Sequence, residues 1–216
     1  MLQKMDDFFE SRLDIYDEHM LNDIECSKEF YLFTASRLPS SPNAYVLDLG
    51  CGTGLELKEY FTINPTAKVI GIDLSRKMLD VLNKKFPDKD INLICGSYFD
   101  IDFGENKFDA VVSVESLHHF ISEDKISLYK KVYSALKDKK RFVITDYYAS
   151  SEEEEVKNFD ELKLIKDNQG ITDNDFYHYD TPLTIEHEMQ ILKIAGFTSV
   201  SLLKTWGDNS TIEAIK

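Results

Sequence analysis

Apolar positions along this chain follow two spacings. From Asp6 to Leu38 they recur at helical intervals, with Ile24, Tyr31 and Leu38 seven apart and Phe30 and Phe33 beside them. Pro39 and Pro42 close that helical region. Short apolar runs follow. Tyr45-Val46-Leu47 ends in a glycine cluster and predicts a buried strand. Ala67 to Ile72, entered through Asn64-Pro65, predicts a second, and Ile91 to Cys95, after the turn at Pro87 to Asp90, a third. Phe108 to Val114, after Gly104-Glu105-Asn106, predicts a fourth, and Arg141 to Thr145 a fifth. Helical stripes separate them. Met78, Leu79 and Leu82 share a face behind a Ser75 cap; Tyr129, Val132, Tyr133 and Leu136 share another behind Ser122, with Glu123 and Asp124 at the positive end of the helix dipole. Strands alternating with helices imply a parallel sheet covered on both faces.

Two segments leave this alternation. A helix with Ile185, Met189, Leu192 and Ala195 on one face stops at Gly196, and Thr198 to Thr205 and Thr211 to Ile215 then read as a hairpin about Gly207-Asp208-Asn209. The stretch 150–182 begins as a capped acidic helix, Ser151 and Glu152 to Glu155, and later carries Phe176, Tyr177, His178 and Tyr179. It reads as a solvated insertion or as a lid over an active site. The expected organisation is one domain over 1–216: a helical cap (1–43), a ligand-binding core (44–149), the lid-like insertion (150–182), and a C-terminal helix and hairpin (183–216).

Composition narrows the partners. The 216 residues carry 25 basic against 39 acidic side chains, a net charge of −14, which disfavours nucleic acid as a partner. With 43% hydrophobic residues the chain can bury a core. No apolar run approaches a membrane span and the first ten residues lack signal-peptide features, so no membrane is expected and the expected location is cytoplasmic. Cys26, Cys51 and Cys95 are read as reduced, small apolar residues. The histidines and acids lack spacings such as H-E-x-x-H, so no metal is expected.

The chemistry concentrates in Val46-Leu47-Asp48-Leu49-Gly50-Cys51-Gly52-Thr53-Gly54. Three glycines at spacing two after a strand allow positive φ and close approach of backbone to a ligand. The dinucleotide pattern G-x-G-x-x-G fails because residue 55 is Leu, and a phosphate loop ending in G-K-S/T is absent. Asp48 precedes the loop, and Asp73 closes the next strand, where a carboxylate suits ribose hydroxyls. An acid ahead of the loop suits a cationic ligand without phosphate, and S-adenosylmethionine meets that description.

The loop D-L-G-C-G-T-G, the strand end I-G-I-D-L-S (Ile70 to Ser75) and F-D-A-V-V-S-V-E-S-L-H-H-F (Phe108 to Phe120) together resemble the class I S-adenosylmethionine-dependent methyltransferases over about Val46 to Lys216. The resemblance implies an α/β, Rossmann-like fold: a seven-stranded, mostly parallel sheet with a C-terminal β-hairpin whose last strand is antiparallel, and helices on both faces. It also implies roles. Asp48 and the backbone of Gly50, Gly52 and Gly54 would hold the methionine part, Asp73 the ribose, and Leu74 would lie beside the adenine. Ser97 stands where the family often has an acid for the adenine amino group. Val114 would offer its carbonyl to the ligand ammonium, with Glu115 adjacent, and Tyr16 or Phe9 would cover the cofactor. Lys137-Asp138-Lys139-Lys140 replaces the usual glycine turn before the fifth strand.

Methyl transfer needs a positioned acceptor, exclusion of water and, for a protonated acceptor, a base. His118 is the candidate catalytic residue. His119 is expected to point back toward the sheet, Asp146, Tyr147 and Tyr148 to line an acceptor pocket or pack in the core, and Glu186-His187-Glu188 to form a solvated face. Without an N-P-P-Y motif, and with its acidic charge, the chain is read as acting on a small molecule, with the oligomeric state open. Two alternatives stand: a carboxy-S-adenosylmethionine synthase-like enzyme of tRNA wobble modification, which shares the A-G-F helix end (Ala195 to Phe197) but needs a cationic residue not identified in the sequence, and a non-catalytic S-adenosylmethionine-binding protein.

Overall fold

The computed structural model describes residues 1–173 and 175–216. Seven strands form one sheet in the order β3-β2-β1-β4-β5-β7-β6. They are β1 (Tyr45–Leu49), β2 (Lys68–Asp73), β3 (Asp90–Cys95), β4 (Phe108–Val114), β5 (Leu136–Tyr147), β6 (Ser199–Trp206) and β7 (Asn209–Ile215). β1 to β5 run parallel, and β7 enters antiparallel between β5 and β6. The expected topology is therefore the observed one. Its reason is visible in the burial: β4 and β7, covered on both faces, are almost wholly buried, whereas the edge strands β3 and β6 alternate with exposed polar residues.

Helices cover both faces. α3 (Ser27–Arg37), α4 (Leu55–Ile63) and α5 (Arg76–Lys85) lie on one side, where Phe30, Tyr31, Leu57, Tyr60, Leu79 and Leu82 enclose Val46 and Val112. α6 (Ser122–Ala135) and α8 (Ile185–Ile194) lie on the other, where Leu128, Tyr129, Val132 and Leu192 pack on Phe142 and Ile144. Ser75 and Thr184 cap α5 and α8 through side-chain oxygens.

Several expectations need correction. The region 6–38 is three helices, α1 (Met5–Ser11), α2 (Leu13–Asn22) and α3, because the chain leaves helical geometry at Arg12 and turns through left-handed Cys26 at φ 56°. Ile24 thus sits in a turn and does not continue the stripe of Tyr31 and Leu38. Strand β5 starts at Leu136, directly after α6, with a register shift opposite Phe108 to Ala110. Lys139 takes the left-handed backbone, φ 61°, that a glycine would otherwise supply, while Lys137 and Lys140 reach Asp109. Ser122 lies inside the first turn of α6, and Ile121 holds the cap position without a side-chain bond. Cys51 is buried, but Cys95 is exposed. Glu188, expected in a solvated face, is 1% exposed and binds buried Lys125 at 2.7 Å and the Tyr129 hydroxyl. His187 Nδ1 pairs with Glu155 at 2.6 Å.

The insertion and the helical cap meet. After α7 (Glu152–Gln169), the chain returns along the N-terminus: Met5 N–H donates to Phe176 O at 2.9 Å and His178 N–H to Gln3 O at 3.0 Å. The Phe8 and His178 rings stack 3.4 Å apart. Thr181 N–H then donates to His118 O at 2.8 Å, tying this joint cover to the sheet's carboxyl edge. The helical cap and the lid-like insertion are therefore one paired layer.

Candidate active site

The glycine loop leaves β1 with Gly50, Gly52 and Gly54 all at positive φ. A Cβ on Gly50 would stand 2.1 Å from Ser116 Oγ, so only glycine lets β1 and the β4 exit come together there. Gly54 serves the fold, since its would-be Cβ meets Leu82 of α5 and Phe86 just past its end. The loop is held from the next strand: Gly52 N–H donates to Asp73 Oδ2 at 2.9 Å and Ser75 N–H to Asp73 Oδ1 at 2.8 Å. Burial raises the Asp73 carboxyl above its usual range despite those two donors.

Beneath the loop Asp48 is 1% exposed, and among the described residues its oxygens meet no donor other than the carboxyl of Glu56. Burial first, and the adjacent Glu56 carboxylate second, hold it well above the ordinary range. Glu56, on the first turn of α4, is also buried and raised by burial. Glu115 follows β4 with φ 50°, a backbone state costing roughly 1–2 kcal/mol for a side-chain-bearing residue. Among the described residues its Oε1 is buried without a partner, and burial followed by Asp146 pushes its carboxyl up to about 8. Unsatisfied buried carboxylates of this kind fit a ligand carrying positive charge.

Two connected spaces result. A narrow crevice with about 50 Å³ free is lined by Gly50, Gly52, Asp73, Leu74, Tyr98 and Ser116 on the sheet side and by Met5, Phe9 and Tyr16 from the cap. A chamber of about 550 Å³ adjoins it, sharing Phe9, Tyr16, Glu115 and His119, and adds Arg12, His118, Tyr147, His178 and Asp180. The crevice falls well short of the roughly 300 Å³ or more typical of small-molecule sites. The cap rings fill it.

His118 lines the chamber, not the crevice. Its Nδ1 lies 2.5 Å from Asp146 Oδ1, and Asp146 also accepts from the Leu117 and Tyr147 amides. Burial would lower its ionisation, but Asp146, Glu115 and Asp180 outweigh this and push it up to about 9. His119 was expected to face the sheet; it lines both spaces, 3.0 Å from Asp180 Oδ1. Burial and the His118 charge lower its ionisation. The 3₁₀ turn at Leu117–His119 explains this, because it lets neighbouring imidazoles tilt against each other at 4.0 Å.

Of the residues proposed from sequence, Tyr16, Gly50, Gly52, Asp73, Leu74 and Glu115 line the crevice, with Phe9 beside them. Asp48 lies beneath it, and Val114 is buried in β4. Ser97 is spent on its own turn, accepting from Phe99 N–H at 3.1 Å, and Tyr98 takes its place on the wall. Tyr147 reaches the chamber, Asp146 stands behind His118, and Tyr148 is buried. Sequence reasoning missed Glu56, Arg12 and Asp180, and named His178 only within the run of the lid-like insertion. Only Glu56, two residues past the last glycine, carried a local signal.

Comparisons with known proteins agree with this geometry. A methyltransferase-domain family model matches residues 46–139. The cypemycin N-terminal methyltransferase of a Streptomyces species is 37% identical over 95 residues, covering 43% of this chain and 37% of that protein, so the match spans well under half of that relative. The carboxy-S-adenosyl-L-methionine synthase of Campylobacter fetus is 23% identical along 100% of this chain and 96% of its own length. Human N-acetylserotonin methyltransferase, solved in complex with S-adenosylmethionine, superposes with a TM-score of 0.63 at 19% identity over 88% of this chain and 52% of that one, a likeness of fold. Among the described residues no helix is long and apolar enough to cross a membrane. With the glycine loop and the seven-stranded order in place, residues 46–139 are a methyltransferase domain, and S-adenosylmethionine is the cofactor that this domain and the class I S-adenosylmethionine-dependent methyltransferase fold support.

Proposed function

We propose that the protein transfers the sulfonium methyl of S-adenosylmethionine to a small-molecule acceptor bound in the 550 Å³ chamber. The observation that carries this reading is the shared wall of Phe9, Tyr16, Glu115 and His119, which sets a ring-lined space directly beside the cofactor crevice. In this reading Asp73 holds the ribose, Leu74 lies by the adenine, and Asp48, Glu56 and Glu115 answer the cofactor's positive charges. Val114 offers its carbonyl to the ammonium. Phe9 and Tyr16 exclude water over the sulfonium, which matters because an in-line displacement is accelerated mainly by position and desolvation. His118, oriented by Asp146, faces the acceptor and handles its proton. In the ligand-free protein it carries a proton at neutral pH, and cofactor charge beside Glu115 drives that proton off.

A second reading, synthesis of carboxy-S-adenosylmethionine, is favoured by the full-length match to the Campylobacter fetus enzyme. It requires a cation for the new carboxylate, and Arg12 on the chamber wall supplies one. Mass spectrometry of the cofactor after incubation with metabolite extracts separates the readings. Methyl transfer yields the demethylated cofactor and a methylated small molecule; the second reading yields a cofactor heavier by a carboxyl group. Recovery of unchanged cofactor across all extracts would refute both and leave a binding protein.

A further inference from the structure

Resting on the chamber as the acceptor site, we propose that His118, His119 and Asp180 bind a divalent transition-metal ion on the chamber wall, with Asp146 as the residue that orients His118. His119 Nδ1 lies 3.0 Å and His118 Nε2 3.6 Å from Asp180 Oδ1, and the three donor atoms fall within 4.8 Å of one another. Donors about 2.0–2.2 Å from one ion stand roughly 3.0–3.4 Å apart at octahedral or tetrahedral angles, so the trio needs only small side-chain adjustment to close on a cation. The donor chemistry is two imidazoles and one carboxylate, a set that leaves open positions for an outside ligand.

The surroundings support this assignment independently. Asp146 accepts from His118 Nδ1, which fixes the ring so that Nε2 faces Asp180, the carboxylate–histidine arrangement found behind metal ligands; a bound cation takes the place of the Nε2 proton, which leaves to solvent. Glu115, His118 and Asp146 make a second trio, but the Asp146 oxygens are already committed to the Leu117 and Tyr147 amides and to the His118 ring. Asp146 therefore takes the orienting part. Three carboxyl groups, Glu115, Asp146 and Asp180, crowd two imidazoles here, and among the described residues Glu115 Oε1 is buried without a partner. A cation there favours the ionised form of Glu115 and pairs with the carboxylates around it. Spacing along the sequence hid the site, because Asp180 arrives from the insertion through the Thr181 to His118 backbone bond.

The ion points to a hydroxyl-bearing acceptor. An acceptor oxygen in an open position loses its proton to solvent, its electron pair forms the new O–CH₃ bond, and the C–S bond breaks with its electrons returning to sulfur as a neutral thioether. No oxidant or reductant is needed. In this arrangement the ion occupies the His118 nitrogen that would otherwise carry the acceptor's proton.

Cobalt(II) titration of chelator-stripped, full-length protein, followed by calorimetry and visible absorption, tests the site without cofactor or acceptor. The expected result is one ion per chain with a nitrogen/oxygen ligand-field spectrum and no thiolate charge-transfer band. Asp180→Asn and His119→Ala should each weaken binding at least about 100-fold, and Asp146→Asn about 10–100-fold. Magnesium, which prefers all-oxygen ligands, should bind far more weakly. Asp180 is half exposed, so Asp180→Asn will fold, and its S-adenosylmethionine affinity is measured alongside as a control for the site. Absence of a bound ion, or binding that these three variants leave unchanged, overturns the proposal. Loss of S-adenosylmethionine binding by the wild type would instead refute the acceptor-chamber reading on which it rests.

Discussion

Around Asp73 the carboxyl edge of the sheet is fixed by backbone: the glycine loop hangs from β2 through amide donors, and β1, β2 and β4 are paired along their length. The cover above it is fixed differently. α1 and α2 each bury one residue, Met5 and Met20, and α7 buries none, so this layer is held by the strip of bonds between residues 3–5 and 176–178 and by polar ties such as Thr53 to Asp17. Elements with few buried apolar contacts open at lower cost than the core beneath them. In the proposed reading the crevice, with about 50 Å³ free, opens to admit the cofactor, the rigid edge providing recognition and the loosely held cover entry and exclusion of water.

The largest effect should lie in the core. Glu188→Ala strands buried Lys125 without its partner and should cost about 3–5 kcal/mol in urea unfolding. A loss below about 1 kcal/mol would mean that the buried pair contributes little. Next comes the cover. Because α3 buries Phe30, Tyr31 and Thr34, and Thr34 meets Thr145 in β5, a truncation must spare it. Deleting residues 1–22 should lower turnover at least about 100-fold while leaving the sheet folded by circular dichroism. Undiminished turnover would show that α1 and α2 only pack.

Within the rigid edge, Asp73→Ala should weaken S-adenosylmethionine binding by about 1.5–3 kcal/mol by calorimetry. Affinity should also follow pH. Asp48 and Glu56 hold their protons above the ordinary carboxylate range in the folded protein but release them when unfolded, so ligand-free stability is greatest below about pH 4 for these groups and falls as pH rises. A cationic ligand favours their ionised forms, so affinity for S-adenosylmethionine should rise over the same interval by up to about tenfold per pH unit. A flat profile would remove both carboxylates from the account. The smallest effect belongs to Ser97→Ala, within about 0.5 kcal/mol on binding, since its hydroxyl serves the Phe99 amide; a larger loss would restore it to the site.

The same division explains what could be read from the chain. The edge is written locally: strand, glycines and acids follow one another from Val46 to Asp73, and each is positioned by neighbours a few residues away or by the adjacent strand. Burial patterns of period two and 3.6 likewise fixed the seven strands and most helices. The cover is written in long-range pairings such as Met5 with Phe176 and His119 with Asp180, which no window along the sequence contains. Orientation at Leu117–His119 also escaped, because a 3₁₀ turn sends adjacent side chains where neither a strand nor an α-helix would. Glu188 looked solvated for a related reason: its partners Lys125 and Tyr129 lie on another helix.

A structure determined with S-adenosylmethionine bound would test the central claim most directly. The account predicts the ribose on Asp73, the cap displaced from the crevice, and the sulfonium methyl facing the chamber between Phe9, Glu115 and His119. A cofactor whose methyl points away from that chamber, or one seated without any movement of Phe9 and Tyr16, would contradict it.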